Sequence, residues 1–328
     1  MDPIINKYLE SLELGNLKVF KNMAIVPLFA PADEGPEYLT MQEALDKQLL
    51  EITELSESGS VPDLKVTNSA DQYVLLLDGE ELMGAKQNRV LTTTILLKPQ
   101  SETVIPVSCT EQGRWAYSSR EFSSSGHMMS KDVRLSQMGS VHESLRLKRG
   151  HRSDQGAVWG DIRKLSADAE VASPTSAMRD VYESKAEALA EYQKAFESQP
   201  KQHGMLVIVN GEIVGFDIVS RASAYQKLQP KLLKSYAIDA MFLQTEQTDT
   251  PSIDDAKAFL VLAKNGMAQL YPSVGHGDDY RVDEKTMVGS ALVAEKSVIH
   301  VAFFRVAEND NGEKMAGVRQ RRAFRSAR

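Results

Sequence analysis

Two polar clusters hold most of the side chains in this sequence that could do chemistry. Lys86-Gln87-Asn88-Arg89 leads into the apolar run 90–97, and Thr110-Glu111-Gln112-Gly113-Arg114-Trp115 follows the apolar run 103–109. Lys86, Arg89 and Arg114, with Arg152 further on, supply cations, and arginine is suited to two-pronged contact with phosphate or carboxylate oxygens. Trp115 and Tyr117 offer flat faces on which a base or ribose could stack. Glu80, Glu81, Glu111 and Asp154 are carboxylates able to form a general acid/base pair or to hold a divalent cation, as hydrolysis of a phosphate or glycosidic bond requires. Glu80 and Glu111 are the two assigned to acid/base work. The structural alternative is a buried polar network in which Arg89 pairs with Glu111 or Glu80. No spacing of Asp and His is diagnostic of a metal site, so no metal ligand is assigned, and a divalent cation is the one cofactor left open.

Other reactive side chains carry less. Cys109 would need a base or a strong cation to become a thiolate. By alternation it shares a strand face with Ile105 and Val107, which points to the core. His127 and His276 stand singly in expected loops and receive no role. Between residues 144 and 152 there is no acid, yet Arg146, Lys148, Arg149 and Arg152 are present. That segment leads into Arg152-Ser153-Asp154-Gln155-Gly156, a helix start, and helix amino termini attract anions. Arg152, Asp154 and Gln155 therefore join Lys86, Gln87, Asn88, Arg89, Arg114 and Trp115 as expected ligand contacts.

The elements that must position these groups can be read from patterning. The runs 90–97 and 103–109 read as the arms of one hairpin turning at Lys98-Pro99-Gln100-Ser101. With Leu97 facing Glu102, Val90 lies opposite Cys109 and Asn88 opposite Glu111. A register slipped by one residue sets Arg89 against Glu111 instead. Pro106 removes one ladder donor and predicts an edge or a bulge. Residues 23–29, 51–55, 64–68 and 73–77 read as strands, and Thr40 with Glu43 has capping-box spacing. Residues 118–150 read as loop with one helix near 138–147. Helices are expected from Ser153 or Asp154 to about residue 169, from Ser173-Pro174 to Pro200, from Ser223 onward with Pro230 bending it or marking its first turn, and from Ser252 to about residue 270. Asn210-Gly211 between apolar runs predicts a hairpin, and 286–293 with 297–306 predicts another.

Composition narrows the class. Of 328 residues 42% are hydrophobic, enough for a substantial core. Lys and Arg number 38 against 45 Asp and Glu, and the net charge of -7 argues against general adhesion to nucleic acid or to anionic membrane. The tail 314–328 carries six basic residues and no acid, and is expected to be disordered, with RNA contact a minor role for it. A single cysteine excludes an intramolecular disulfide framework and fits a reducing compartment. No run approaches the roughly 18 apolar residues of a membrane span, and residues 1–10 do not read as a signal peptide, so a soluble cytoplasmic protein is expected.

The segments Gly79-Glu80-Glu81-Leu82-Met83-Gly84-Ala85-Lys86-Gln87-Asn88-Arg89, Ile105-Pro106-Val107-Ser108-Cys109, Glu111-Gln112-Gly113-Arg114-Trp115, Arg152-Ser153-Asp154-Gln155-Gly156 and Ser173-Pro174-Thr175 resemble the ARG and Rhodanese-Phosphatase-superfamily-associated protein (ARPP) family. The likeness runs from about residue 17 to 306 and includes Leu232-Leu233-Lys234-Ser235-Tyr236. The family's name records association with ADP-ribosylglycohydrolases and phosphatase-like proteins. It implies a place in the metabolism of NAD-derived nucleotides and, as partners, NAD- or ADP-ribose-processing enzymes. It assigns no catalytic residue.

The expectation is an α+β protein spanning 17–308: a β-rich antiparallel part (17–117), a helical middle (126–200) and a hairpin-helix-helix-hairpin unit (203–308) in one compact body, followed by the basic tail 309–328. It is expected to bind, and to hydrolyse or transfer, a phosphorylated NAD-derived nucleotide of ADP-ribose type. The competing reading is a non-catalytic binding or scaffold protein working with a partner enzyme.

Overall fold

The structure, a computed structural model, describes residues 1–33, 35–56, 59–243 and 252–306. The expected tail lies outside the described residues. Among the described residues three sheets organise the chain. The largest is antiparallel and takes its strands in the spatial order Glu13–Leu14, Met23–Phe29, Gly204–Val209, Glu212–Val219, Ser297–Arg305, Met287–Ala294, Asp278–Asp283 and Gln269–Pro272, with Lys18–Phe20 also pairing to Met23–Phe29. Alternation decides what each face covers. Met23, Ile25, Met205 and Val207 join one hydrophobic cluster, while Ala24, Val26, Leu206 and Ile208 join another. On the first face lie the helices Lys131–Arg146, Gln155–Asp168, Met178–Ser184, Ala186–Ala195 and Ala222–Phe242; on the second lie Pro3–Glu10 and Ile253–Asn265. Burial on both faces is why Met23–Phe29 and Gly204–Val209 are apolar throughout rather than alternating.

A six-stranded sheet carries the polar clusters, in the order Phe122–Met128, Glu80–Gly84, Arg89–Leu91, Ser101–Cys109, Asp63–Asn68 and Leu50–Glu54. Ile95–Leu97, Tyr73–Leu76 and Tyr38–Thr40 form a third sheet, in which the last two strands run parallel. The α+β class is as the sequence predicts, with antiparallel strands dominating the amino-terminal half and helices the middle.

Local signals hold where chemistry fixes the backbone. Thr40 caps Met41–Asp46, and Glu43 closes the box by accepting from the Thr40 amide at 3.0 Å. Asn210 and Gly211 both have positive φ, 48° and 78°, the geometry a two-residue hairpin needs. Asp154 caps Gln155–Asp168.

Elsewhere tertiary structure overrides local pattern. Residues 118–150 are not mostly loop: Phe122–Met128 is a strand, and the helix begins at Lys131. The polar sequence Ser123-Ser124-Ser125-Gly126-His127 pairs because Glu80–Gly84 offers it a partner. The helix expected from Ser173-Pro174 divides at Lys185 into Met178–Ser184 and Ala186–Ala195. Ala222–Phe242 begins after Arg221, not at Ser223, and holds Pro230 in its interior. The helix from Ser252 ends at Asn265, and Gln269–Pro272 and Asp278–Asp283 are two strands the pattern does not show. In the second, buried Asp279 and Arg281 pair with each other, so a core-facing position reads as polar.

One buried polar group ties the layers together. Arg134 lies between Asp78, at 3.3 Å, and Asp217, at 2.7 Å. Tyr236 donates to Asp217 at 2.6 Å, and His300 touches both Asp217 and the Thr94 hydroxyl.

Candidate functional site

The apolar run after the first polar cluster does not continue as one hairpin arm. Arg89–Leu91 pairs with Val107–Cys109, but Ile95–Leu97 crosses to pair with Tyr73–Leu76. Thr92 and Thr94 make the crossing, donating to the Pro106 and His151 carbonyls and to Asp78. Ser101–Pro106 pairs instead with Asp63–Asn68. Pro106 is thus where the strand changes partner, which accounts for the missing donor without an outer edge. The register differs from both sequence alternatives: Arg89 faces Cys109, and the Asn88 carbonyl accepts from the Thr110 amide at 3.0 Å.

The clusters do meet, but mainly as a staple. Glu111 accepts from Arg114 Nη2 at 2.7 Å, from Arg114 Nε at 2.9 Å and from the Asn88 amide at 3.2 Å. Burial pushes its carboxyl up, but Arg114, Thr175 and the Asn88 amide outweigh it, and the group is held below the usual range. The rest of the Arg114 guanidinium is spent on the Ala85, Ala116 and Gly84 carbonyls, Ser118 Oγ and Asn88 Oδ1. Glu111→Gln removes a charge-assisted pair and is expected to lower the free energy of unfolding by about 1–3 kcal/mol, measured by urea denaturation. A change within experimental error would mean the staple bears no load.

Glu80 lies apart from this pair. It is fully buried, held by Lys231 Nζ at 2.6 Å and the Leu77 amide at 2.7 Å. Arg152 reaches Asp63 at 3.2 Å on the surface, and Asp154 is occupied with the amides of Gly156 and Ala157. Gln155 does join the clusters: its amide oxygen accepts from the Cys109 N–H at 2.7 Å, and its nitrogen donates to the Cys109 carbonyl at 3.0 Å. The Cys109 thiol is pushed up by burial despite Arg89, so it stays protonated and belongs to the core. His276 stacks on Tyr73 at 5.3 Å.

What remains is a compact group around Arg89. This side chain is fully buried, yet among the described residues only Nη1 makes hydrogen bonds, to Gln87 and the Asn88 carbonyl. Among the described residues Nε and Nη2 have no hydrogen bond; the Glu54 carboxylate forms an ion pair with Nη2 at 3.8 Å, too far for one. The Trp115 ring lies 5.7 Å from the Arg89 guanidinium carbon. Lys86 Nζ is 5.5 Å from that ring and 5.1 Å from the Tyr117 ring. Trp115 and Tyr117 are each half exposed. Lys86, Gln87, Arg89 and Trp115 are thus brought together, with Glu54 added. Glu54 ends a strand of ordinary alternating pattern, and nothing local in the sequence marks it.

Among the described residues no group of three or more His, Cys, Asp or Glu could hold a metal ion. No described helix is long and apolar enough to cross a membrane. The fold and this group define an α+β protein with a cationic and aromatic shelf beside a half-satisfied buried arginine. The chain belongs to the ARPP family: the model of the ARG and Rhodanese-Phosphatase-superfamily-associated Protein domain matches residues 11–304. No curated protein and no solved structure matches the chain significantly.

Proposed function

We propose that the protein binds a small anionic ligand bearing a flat ring, of nucleotide kind, at the shelf formed by Lys86, Trp115 and Tyr117 with Arg89 behind it. The observation that carries this reading is the Arg89 guanidinium, buried with Nε and Nη2 lacking any hydrogen bond among the described residues and its counter-ion Glu54 no closer than 3.8 Å. A buried cation left half-satisfied is costly unless an anion completes it. The exposed ring faces suit a base, and the cations suit phosphate oxygens. An NAD-derived nucleotide of ADP-ribose type is the ligand class toward which the family's association points.

Binding without chemistry is favoured at this shelf by a specific observation. Glu80 is tied up by Lys231 on a separate helix, and Arg114 holds the Glu111 carboxyl below its usual range, so Glu111 is not poised to give up a proton near neutral pH. A hydrolase or transferase acting on a phosphate or glycosidic bond needs such an acid.

A thermal-shift and calorimetric panel of NAD, ADP-ribose and phosphorylated ADP-ribose, with and without magnesium or manganese, tests the proposal. At least one member is expected to raise the melting temperature. Stacking on an aromatic ring contributes about 1–3 kcal/mol, so Trp115→Ala should weaken that ligand by about tenfold or more. Silence across the panel, or affinity unchanged in both Trp115→Ala and Lys86→Ala, would overturn it.

A further inference from the structure

A second cluster lies where Phe122–Met128 pairs with Glu80–Gly84. Ser124 faces Leu82 but Met128 faces Glu80, so the strand bulges between them. Bulges re-aim side chains and are common beside sites. Gly126 in this bulge has φ +74°, and a Cβ there would meet nothing within 4 Å, so the bulge opens onto free space. The next residue, His127, stacks on Tyr182 with ring centroids 4.9 Å apart. Lys234 Nζ sits 3.2 Å from His127 Nδ1 and donates to the Gly126 carbonyl at 2.9 Å.

Glu81 and Tyr182 are fully buried and incompletely partnered. One Glu81 oxygen accepts from the Thr110 hydroxyl at 2.7 Å, while the other finds no hydrogen bond of normal geometry among the described residues. Nor does the Tyr182 hydroxyl find one among the described residues. Burial lifts the Glu81 carboxyl to about 7, against the opposing pull of Thr110, Ser125 and Arg179 and with a smaller upward push from Glu111. His127 is held down at about 3 by burial and by Lys234, Arg179 and Lys231. Most buried polar atoms are satisfied, so two orphaned oxygens in one cluster call for a partner.

The chemistry of the group points one way. His127 is neutral and accepts from Lys234 at Nδ1, which leaves its proton on Nε2. The cluster therefore presents an imidazole N–H, an ammonium, a phenol O–H and, when protonated, a carboxylic acid. All are donors, matched to oxygens that only accept. Leu82 faces Arg89 across the ladder, so by alternation Glu81 projects from the opposite face of the sheet from Arg89.

We propose that Glu81, His127, Tyr182 and Lys234 form a second site, separate from the Trp115 shelf, that takes a small oxyanion of the phosphate or phosphomonoester kind. Glu81 takes up a proton from solvent as the anion enters, because a second negative charge beside it disfavours the carboxylate. Around them stand Glu183 paired with Arg179, Lys231 paired with Glu80, and Asp239 and Arg134, whose charges are felt at Tyr182.

The test is calorimetric titration of the full chain with inorganic phosphate at about pH 8, where Glu81 is mostly ionised, in two buffers of different ionisation enthalpy. Saturable binding with net proton uptake is expected. Glu81→Gln should keep the binding and lose the uptake, and Lys234→Met should weaken phosphate by about tenfold or more. Should Lys234→Met fail to fold, His127→Phe, which keeps the ring against Tyr182 but removes the donor, carries the same expectation. Sugar phosphate in parallel distinguishes a phosphomonoester site from one for free phosphate. Absence of saturable binding, or binding unchanged in the Lys234 and His127 variants, would overturn the proposal. Phosphate binding lost only in Trp115→Ala would assign the anion to the shelf and likewise overturn it. A negative nucleotide panel leaves this result untouched, so the two proposals fail separately.

Discussion

Replacing Arg134 by methionine is expected to lower the free energy of unfolding by about 3–5 kcal/mol, the usual cost of breaking a buried ion pair from one side. Arg134, Asp78 and Asp217 are all buried, and removal of the guanidinium leaves two carboxylates facing each other without water. Burial alone would push the Asp217 carboxyl up; Arg134 and His300 pull it well below the usual carboxylate range instead. Because its folded-state value is depressed, the stabilisation it gives is present above its unfolded value and is lost as pH falls toward the folded one. Urea denaturation at neutral pH measures the effect. Adding Asp217→Asn to the Arg134 variant should return part of the loss, since one of the stranded charges is then gone. A loss below about 1 kcal/mol would show that water enters the cluster when the arginine is removed.

Glu81→Gln should act in the opposite sense above neutrality. The unfolded chain gives up this proton near the ordinary value of 4.5, whereas the folded protein keeps it to about 7. A raised folded-state value means stability is fully present below the unfolded value, declines as pH rises from there, and levels off once the folded group also ionises. For a fully buried group the shift corresponds to about 3 kcal/mol between those limits. Asp239, also raised to about 7 through burial and the nearby Asp132, adds a decline of the same sign. Comparison of wild type and Glu81→Gln isolates the glutamate. The stability difference between about pH 5 and about pH 8 should shrink by an amount on the order of 3 kcal/mol in the variant. Parallel pH profiles for the two proteins would sink this assignment.

The sequence was readable where a side chain acts on its own backbone. Thr40 with Glu43, Asn210-Gly211 and Asp154 each set a local geometry, and the structure contains all of them. It was misleading where a strand borrows its identity from a neighbour, as Phe122–Met128 does from Glu80–Gly84. The polar clusters were rightly placed together, because the runs beside them pair over Arg89–Leu91 and Val107–Cys109. Which cation meets which carboxylate was not legible. Glu80 finds Lys231, a partner 151 positions away, and Arg89 lies nearest Glu54 rather than Glu111. Such pairings depend on sheet curvature and on helices docked from elsewhere in the chain, about which local spacing is silent. His127 illustrates the limit: alone in sequence, it gains Tyr182 and Lys234 only through the fold.

Gln155 has a consequence for how the protein keeps to itself. Beyond Pro106 the strand Ser101–Cys109 has lost its Asp63–Asn68 partner on one side, which would leave a stretch of open ladder. The Gln155 side chain meets the Cys109 N–H and carbonyl together, reproducing in one amide what a neighbouring strand would supply. An unguarded edge is a template for pairing between chains and for aggregation. The first residue of a helix here closes that template, so a substitution such as Gln155→Leu would expose the chain to sticking to its own copies.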